Sequence, residues 1–212
     1  MLFRDRRDAG QQLAERLVFL KEQPDVIVLG IPRGGVAVAA EVARALHAPL
    51  DVFIAHKLGA PFSPELAIGA LTGAGEVLLD ETLVAELRLS EKEIAREVEY
   101  QRKEIARRLA AFRRDRPPLD VKNKTVVLVD DGVATGSTTL AALRALRKQQ
   151  PTRLILAIPV GPADTVQRLG RECDQVVVLD TPEPFWAVGR FYVQFEQTSD
   201  AEVLELLSMP RT

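Results

Sequence analysis

Residues 126–140 read Val126-Val127-Leu128-Val129-Asp130-Asp131-Gly132-Val133-Ala134-Thr135-Gly136-Ser137-Thr138-Thr139-Leu140. Four apolar residues, two adjacent acids, a small-residue loop and a helix-forming run describe a buried strand that turns into a helix at its carboxyl end. Small residues let the backbone approach a ligand closely. The N–H groups of residues 135–139 face outward at a helix start. There the helix dipole and the hydroxyls of Thr135, Ser137, Thr138 and Thr139 favour an anion such as phosphate. Two carboxylates beside such a cradle suit a sugar phosphate, because acids accept hydrogen bonds from vicinal hydroxyls. The stretch is not a Walker A loop, since it lacks GxxxxGK[ST] and no lysine follows Gly136.

The same strand-to-helix rhythm runs outward from this stretch. Asp8 is a candidate cap for a first helix ending near Lys21. Residues 26–29 read as a strand, 30–35 as a tight loop, 36–46 as a helix and 51–55 as a second strand. After the quoted segment come a helix over 137–148, a strand over 154–158, a helix over 164–172 and a strand over 175–179. An aromatic-rich segment over 185–195 and a final helix over 201–207 complete the pattern. Strands apolar on both faces, alternating with helices, predict an α/β fold with a central parallel sheet flanked by helices. Ligands of such sheets sit at the carboxyl ends of the strands, so the loops after Leu29, Ala55, Val129 and Ile158 are the places to look. Residues 57–75 are punctuated by Gly59, Pro61, Pro64, Gly69, Gly73 and Gly75, and read as a long loop with short strands at 66–71 and 77–79. Ser90 and Glu93 form a capping-box pattern opening a long helix that runs to Arg114, before Pro117 and Pro118. Its thin apolar seam of Ile94, Val98, Ile105, Leu109 and Phe112 is interrupted by Gln101 and Arg102 and predicts a surface helix packing one stripe on the core. Arg107, Arg108, Arg113, Arg114 and Arg116 gather where cations suit the helix dipole.

Composition narrows the function classes. The chain has 212 residues, 47% of them apolar, enough for one domain with a sizeable core. Lys plus Arg number 28 and Asp plus Glu 30, a net charge of -2 that argues against binding held mainly by nucleic-acid phosphates or anionic lipid. Apolar runs such as 154–160 fall short of the roughly 18–20 residues of a membrane span. One cysteine, Cys173, excludes an internal disulfide and any CxxC metal site. No basic-apolar leader opens the sequence, and a cytoplasmic protein is expected. His47 and His56 have no partners at metal-ligand spacing and read as structural or exposed.

Residues 126–138 resemble the phosphoribosyl pyrophosphate (PRPP) signature of type I phosphoribosyltransferases, and the resemblance extends over nearly the whole chain, toward the bacterial branch whose substrate is unsettled. It implies a Rossmann-like sheet over about 24–180, a small hood from the chain-terminal segments (about 1–22 and 181–212), a flexible loop over about 57–76 and an added long helix over about 90–114. By position it places Asp130 and Asp131 on the ribose hydroxyls, and Ala134, Thr135, Gly136, Ser137 and Thr138 on the 5-phosphate. Gly30-Ile31-Pro32-Arg33-Gly34-Gly35 stands where the family has its pyrophosphate loop. That implies pyrophosphate contacts from Pro32, Arg33, Gly34 and Gly35 and a cis peptide between Pro32 and Arg33. Lys57, with His56 at the end of the second strand, stands where members carry a basic residue that neutralises the departing pyrophosphate. Glu183-Pro184-Phe185-Trp186-Ala187-Val188-Gly189 resembles the segment in which an aromatic ring stacks on the base. Trp186 or Phe185 is then the stacking candidate, and such a contact contributes about 1–3 kcal/mol. The other reading of this segment is a hydrophobic plug with Phe191, Tyr192 and Phe195.

Two positions depart from the family pattern. Gly132 replaces an aliphatic residue. Ala134 replaces the aspartate that purine-using members offer as proton acceptor, so the acceptor's proton is left to Asp131, to water or to pyrophosphate. The activity implied is magnesium-dependent transfer of ribose 5-phosphate from PRPP to a nitrogenous base, with release of pyrophosphate. Asp130, Asp131, Lys57 and Arg33 are the catalytic candidates. Mg²⁺ is expected to be held through PRPP, with Asp130 or Asp131 as its protein contact. The partners implied are PRPP, a nucleobase or other nitrogen acceptor, and further copies of the chain in a homodimer or larger homo-oligomer. A non-catalytic PRPP-binding regulator is the alternative, compatible with Ala134. A sugar-phosphate hydrolase is weaker, because no further acids cluster for metals. Glu65, the acid of the 57–75 stretch, reads as a substrate contact or a surface residue.

Overall fold

The structure, a computed structural model, describes residues 2–73, 75–113 and 117–208, with the side chains of Pro64, Glu65 and Arg113 left aside. Its strands are β1 (Val26–Gly30), β2 (Leu50–Val52), β3 (Ala55–Ala60), β4 (Ser63–Thr72), β5 (Val77–Leu79), β6 (Thr125–Val129), β7 (Arg153–Val160) and β8 (Gln175–Asp180). Its helices are α1 (Arg6–Arg16), α2 (Gly34–Leu46), α3 (Glu81–Glu86), α4 (Glu91–Arg113), α5 (Ser137–Lys148), α6 (Ala163–Leu169) and α7 (Asp200–Leu207).

Five strands form one parallel sheet in the order β2-β1-β6-β7-β8. Its two faces are buried differently. On one, Leu128, Leu154 and Leu156 pack with Leu143 and Leu146 of α5. On the other, Val127 and Ile155 pack with Leu13 and Leu17 of the N-terminal segment and Val38 and Val42 of α2. Helices on both faces explain why these strands carry no polar alternation. The predicted architecture is therefore the observed one.

The short strands expected at 66–71 and 77–79 are present as β4 and β5, but residues 57–60, expected as loop, are strand as well. β3 and β4 form an antiparallel hairpin, and β5 adds a third strand. The glycine and proline punctuation is absorbed by register shifts at Leu58/Gly59 and Gly59/Ala60 and by the turn after Ala60. The strand expected over 51–55 is likewise two: β2 ends at Val52, and β3 leaves the parallel sheet at Ala55. Leu58, Ile68 and Leu71 of the hairpin pack with Ile105 and Phe112 of α4 and with Val203 of α7. Ile94, Val98 and Leu109 lie partly buried on the same cluster, so the thin seam of α4 is its core-facing stripe. Ser90 and Glu93 close the predicted capping box. Arg114 and Arg116 of the expected basic cluster lie outside the described residues, as do the side chains of Arg113 and Glu65.

The first helix begins earlier than the Asp8 cap expected for it. Asp5 is the cap and accepts from the Asp8 N–H at 2.7 Å, so Asp8 sits inside the first turn. The helix also stops short of Lys21, because the Leu17 N–H bonds Ala14 and a 3-10 turn over Val18–Leu20 follows. Phe3 and Tyr192 bridge the two ends of the chain, with Phe185, Val188, Phe191 and Phe195 packed around them. Among the described residues no helix is long and apolar enough to cross a membrane.

Leu128 is fully buried in the central strand. Leu128→Ala is expected to lower the unfolding free energy by about 2–5 kcal/mol, read by chemical denaturation.

Candidate functional site

β1 and β6 lie side by side in register, Gly30 opposite Val129. From β1 the sheet extends through β2 in one direction and through β6, β7 and β8 in the other. The order reverses between β1 and β6, where open α/β sheets hold their ligands. The two loops singled out in the sequence, 31–35 and 130–136, both start at this point, and the Ile31 N–H bonds the Val129 carbonyl at 2.9 Å. The Pro32–Arg33 peptide is cis. The loops touch: a Cβ on Gly34 would lie 1.9 Å from Asp131 Oδ2 and 2.6 Å from Arg6 Nε. Only glycine fits there.

Gly132 is explained in the same way. Its φ is +149°, and a Cβ would meet Val188 Cγ1 at 2.6 Å. The departure from an aliphatic residue thus lets the 185–189 segment close against the acid pair.

The two acids are held unequally. Asp130 Oδ1 accepts from the Asp131 N–H at 2.9 Å, and Oδ2 from the Thr139 hydroxyl at 3.3 Å. Burial, then the neighbouring Asp131 carboxylate, pushes Asp130 well above the usual carboxylate range. Burial also raises Asp131, but the Arg6 guanidinium restrains it, Nε lying 2.7 Å from Oδ2 with both side chains largely covered. Arg6 is fixed in turn by the Glu196 carbonyl at 2.8 Å and by the Phe195 ring, 3.9 Å from its guanidinium. The Tyr192 hydroxyl donates to the Asp131 carbonyl at 2.5 Å, and burial pushes its pKa far up, so it stays a donor. Both chain ends therefore converge on the second acid.

After the acids, Ala134, Thr135 and Thr138 are exposed and Ser137 half-buried. The Thr165 hydroxyl donates to the Ala134 carbonyl at 3.1 Å, and Arg168 donates to that of Thr135. These bonds hold the loop's carbonyls toward α6. The first-turn amides of α5 have no partner within the helix. The Thr135 and Ser137 hydroxyls lie 3.3 Å apart on the exposed rim. The arrangement presents amides and hydroxyls to an incoming anion.

A cavity of about 300 Å³ opens beside this cradle. Pro32, Thr138, His56 and Lys57 line it together with Gln101 and Arg108 of α4. The structure thus brings Pro32, Lys57 and Thr138, read as separate motifs, to one wall. His56 Nδ1 is 2.8 Å from Gln101 Oε1, and Gln101 Nε2 donates to Glu97 Oε1 at 2.9 Å. Gln101, which interrupts the apolar seam, is the residue that reaches this wall. Arg33 instead pairs with Asp200 at the start of α7, at 3.5 Å. Phe185 stacks on Phe191, with ring centres 5.2 Å apart, while Trp186 is 76% exposed. His47 is exposed at the end of α2. Arg6 and Arg108 escaped the sequence reading. Each meets the site only through tertiary packing, and no local pattern marks them.

Strand-end acids, a helix-start cradle and a glycine loop across the sheet's reversal define the class as an α/β protein with a crevice whose chemistry suits a phosphate group. Residues 4–196 match the phosphoribosyl transferase domain family, and the chain belongs to it. A Mycobacterium tuberculosis protein, provisionally named a phosphoribosyl transferase in strains CDC 1551 and H37Rv, is 46% identical over 206 residues, 97% of this chain. The chain spans 46% of that relative's length. The crystal structure of TT1426 from Thermus thermophilus is 42% identical, with a TM-score of 0.90 over 98% of both chains. The AQ2163 protein from Aquifex aeolicus shares the fold at 10% identity, with a TM-score of 0.50 over 97% of this chain and 87% of that one.

Gly34→Ala is expected to displace the Asp131–Arg6 pair and lower stability by about 1–3 kcal/mol, read by denaturant unfolding. Asp130 binds protons more readily folded than unfolded, so its ionised form opposes folding at neutral pH. Asp130→Asn is therefore expected to raise the melting temperature at neutral pH. The gain shrinks as pH falls through the raised folded-state pKa and vanishes below the ordinary value of 3.8.

Proposed function

We propose that the protein transfers ribose 5-phosphate from PRPP to a nitrogenous base and releases pyrophosphate, with Mg²⁺ as cofactor. The observation that carries this reading is the Asp130–Asp131 pair standing next to the 134–138 cradle, with Ala134, Thr135 and Thr138 exposed, at the sheet's point of reversal. The carboxylates accept from the ribose 2- and 3-hydroxyls. The amides and hydroxyls of Ala134, Thr135, Gly136, Ser137 and Thr138 hold the 5-phosphate. The loop from Pro32 to Gly35 and Lys57 hold the pyrophosphate. Membership of the family agrees with this division.

The chemistry breaks the bond from ribose C1 to the pyrophosphate oxygen, whose electron pair leaves with pyrophosphate. A lone pair of the acceptor nitrogen then forms the new C1–N bond, and its proton leaves to water or pyrophosphate, since Ala134 offers no side-chain base. The protein's contribution is positioning and stabilisation of the departing anion. Two adjacent half-buried carboxylates are the donor chemistry that Mg²⁺ takes when phosphate and water oxygens complete its shell, so Asp130 or Asp131 would hold it. The ion supplies neutralisation of phosphate charge. Trp186, exposed two residues from Val188, is the candidate platform for the acceptor ring.

A pyrophosphate-release assay with PRPP, Mg²⁺ and a panel of bases tests the reaction, and turnover with at least one base is expected. PRPP binding without turnover on any base would favour the regulator, a reading supported by Ala134. In isothermal titration, Asp131→Asn and Thr135→Val are each expected to weaken PRPP by more than about tenfold. Unchanged affinity in both folded variants would remove the assignment.

A further inference from the structure

Helix α4 carries a cation that neither substrate loop accounts for. Two of its exposed cations are matched by acids of the same helix: Lys103 lies 3.8 Å from Glu99, and Arg107 3.2 Å from Glu104. The other exposed cations, Lys92, Arg96 and Arg102, do not line the cavity beside the cradle. Arg108 is different. It is half-buried, lines the 300 Å³ cavity and makes no ion pair among the described residues. Glu104, one turn before it, has its carboxylate on Arg107. Among the described residues that line the cavity, the formally charged ones are Arg108 and Lys57, both positive. A half-buried guanidinium without an ion-pair partner, in a cavity with no acid among its described lining residues, marks a place for an anion.

The neighbouring imidazole fits the same picture. Glu97 can only accept, so it fixes Gln101 with its amide toward Glu97 and its carbonyl toward His56. His56 therefore carries its proton on Nδ1 and leaves Nε2 bare, buried and without a partner among the described residues. Burial lowers its pKa most, the Gln101 hydrogen bond opposes this, and the Arg108 charge adds to the lowering against a lesser effect of Glu104. A neutral His56 keeps a third positive charge out of the cavity and leaves the anion to Arg108 and Lys57.

We propose that Arg108, reaching in from α4, binds the diphosphate group of the substrate across this cavity from Pro32 and Lys57. This rests on the phosphoribosyl-transfer reading and extends it to a helix outside both substrate loops. The diphosphate is favoured over the 5-phosphate because two of the contributing segments, at Pro32 and Lys57, are those assigned to the departing group. Thr138 at the edge marks where the phosphate cradle begins.

The test is isothermal titration of the full chain with two separate probes, inorganic pyrophosphate and ribose 5-phosphate, each with Mg²⁺. Arg108→Gln is expected to weaken pyrophosphate by about tenfold or more and to change ribose 5-phosphate by less than about twofold. Arg108→Lys is expected to recover part of the loss, and Arg107→Gln to bind as wild type does. Thermal melting of each variant reports that α4 is still packed. Wild-type pyrophosphate affinity in Arg108→Gln, or an equal loss for both probes, overturns the role of Arg108 and leaves the transfer reading standing. Failure of the wild-type chain to bind either probe removes both.

Discussion

Asp131 is the point at which separate parts of the chain depend on one another. Its carboxylate meets Arg6 from the first helix and lies against the backbone of Gly34 in the loop after β1. Its carbonyl receives the Tyr192 hydroxyl from the carboxyl-terminal segment. A largely covered ion pair of this kind contributes modestly to net stability. Removing one partner alone leaves a buried charge unpaired, at a cost on the order of 3–5 kcal/mol. The constraint is therefore geometric: the chain ends, the glycine loop and the strand-end acid can occupy one place only if all three arrive.

The second organising contact is that of α4 with the hairpin. An isolated hairpin is marginally stable, and a third strand or a helix packed on its apolar face supports it. Here Ile105 and Phe112 cover Leu58, Ile68 and Leu71, and Val203 and Leu207 of α7 complete the cluster. The same packing sets α4 beside His56 and Lys57. The face that buries apolar carbon over most of its length brings Gln101 and Arg108 to the rim of the cavity, so one helix serves both core and wall.

How much of this was legible in the sequence depended on how local the physics is. The strand over 126–129 and its cradle could be read because burial, the turn and the helix start are all decided within fifteen residues. The first strand of the hairpin could not. Gly59 and Pro61 are usual loop markers; Pro61 does lie in the turn after Ala60, but Gly59 becomes a strand residue by pairing with Ala67 across a register shift. Asp8 was a plausible cap by type, but Asp5 had the geometry to reach its N–H. Arg6 lies 125 residues from Asp131 in sequence, and nothing in the run Arg4-Asp5-Arg6-Arg7-Asp8 distinguishes it from its neighbours. Arg108 was visible only as one of several arginines at a helix end. Gln101 had a faint local signal, as a polar break in an apolar stripe.

The stacked Arg6 has a consequence for how a polyanion first reaches the molecule. Two bare carboxylates at the mouth of a crevice would repel any phosphate ester during its approach. With one acid already neutralised by a clamped guanidinium and the other inclined to keep its proton, that barrier is largely cancelled before contact. Under the proposed function the attractive field comes from the basic wall and the helix-start amides, and it favours approach of the phosphates ahead of the sugar's hydroxyls.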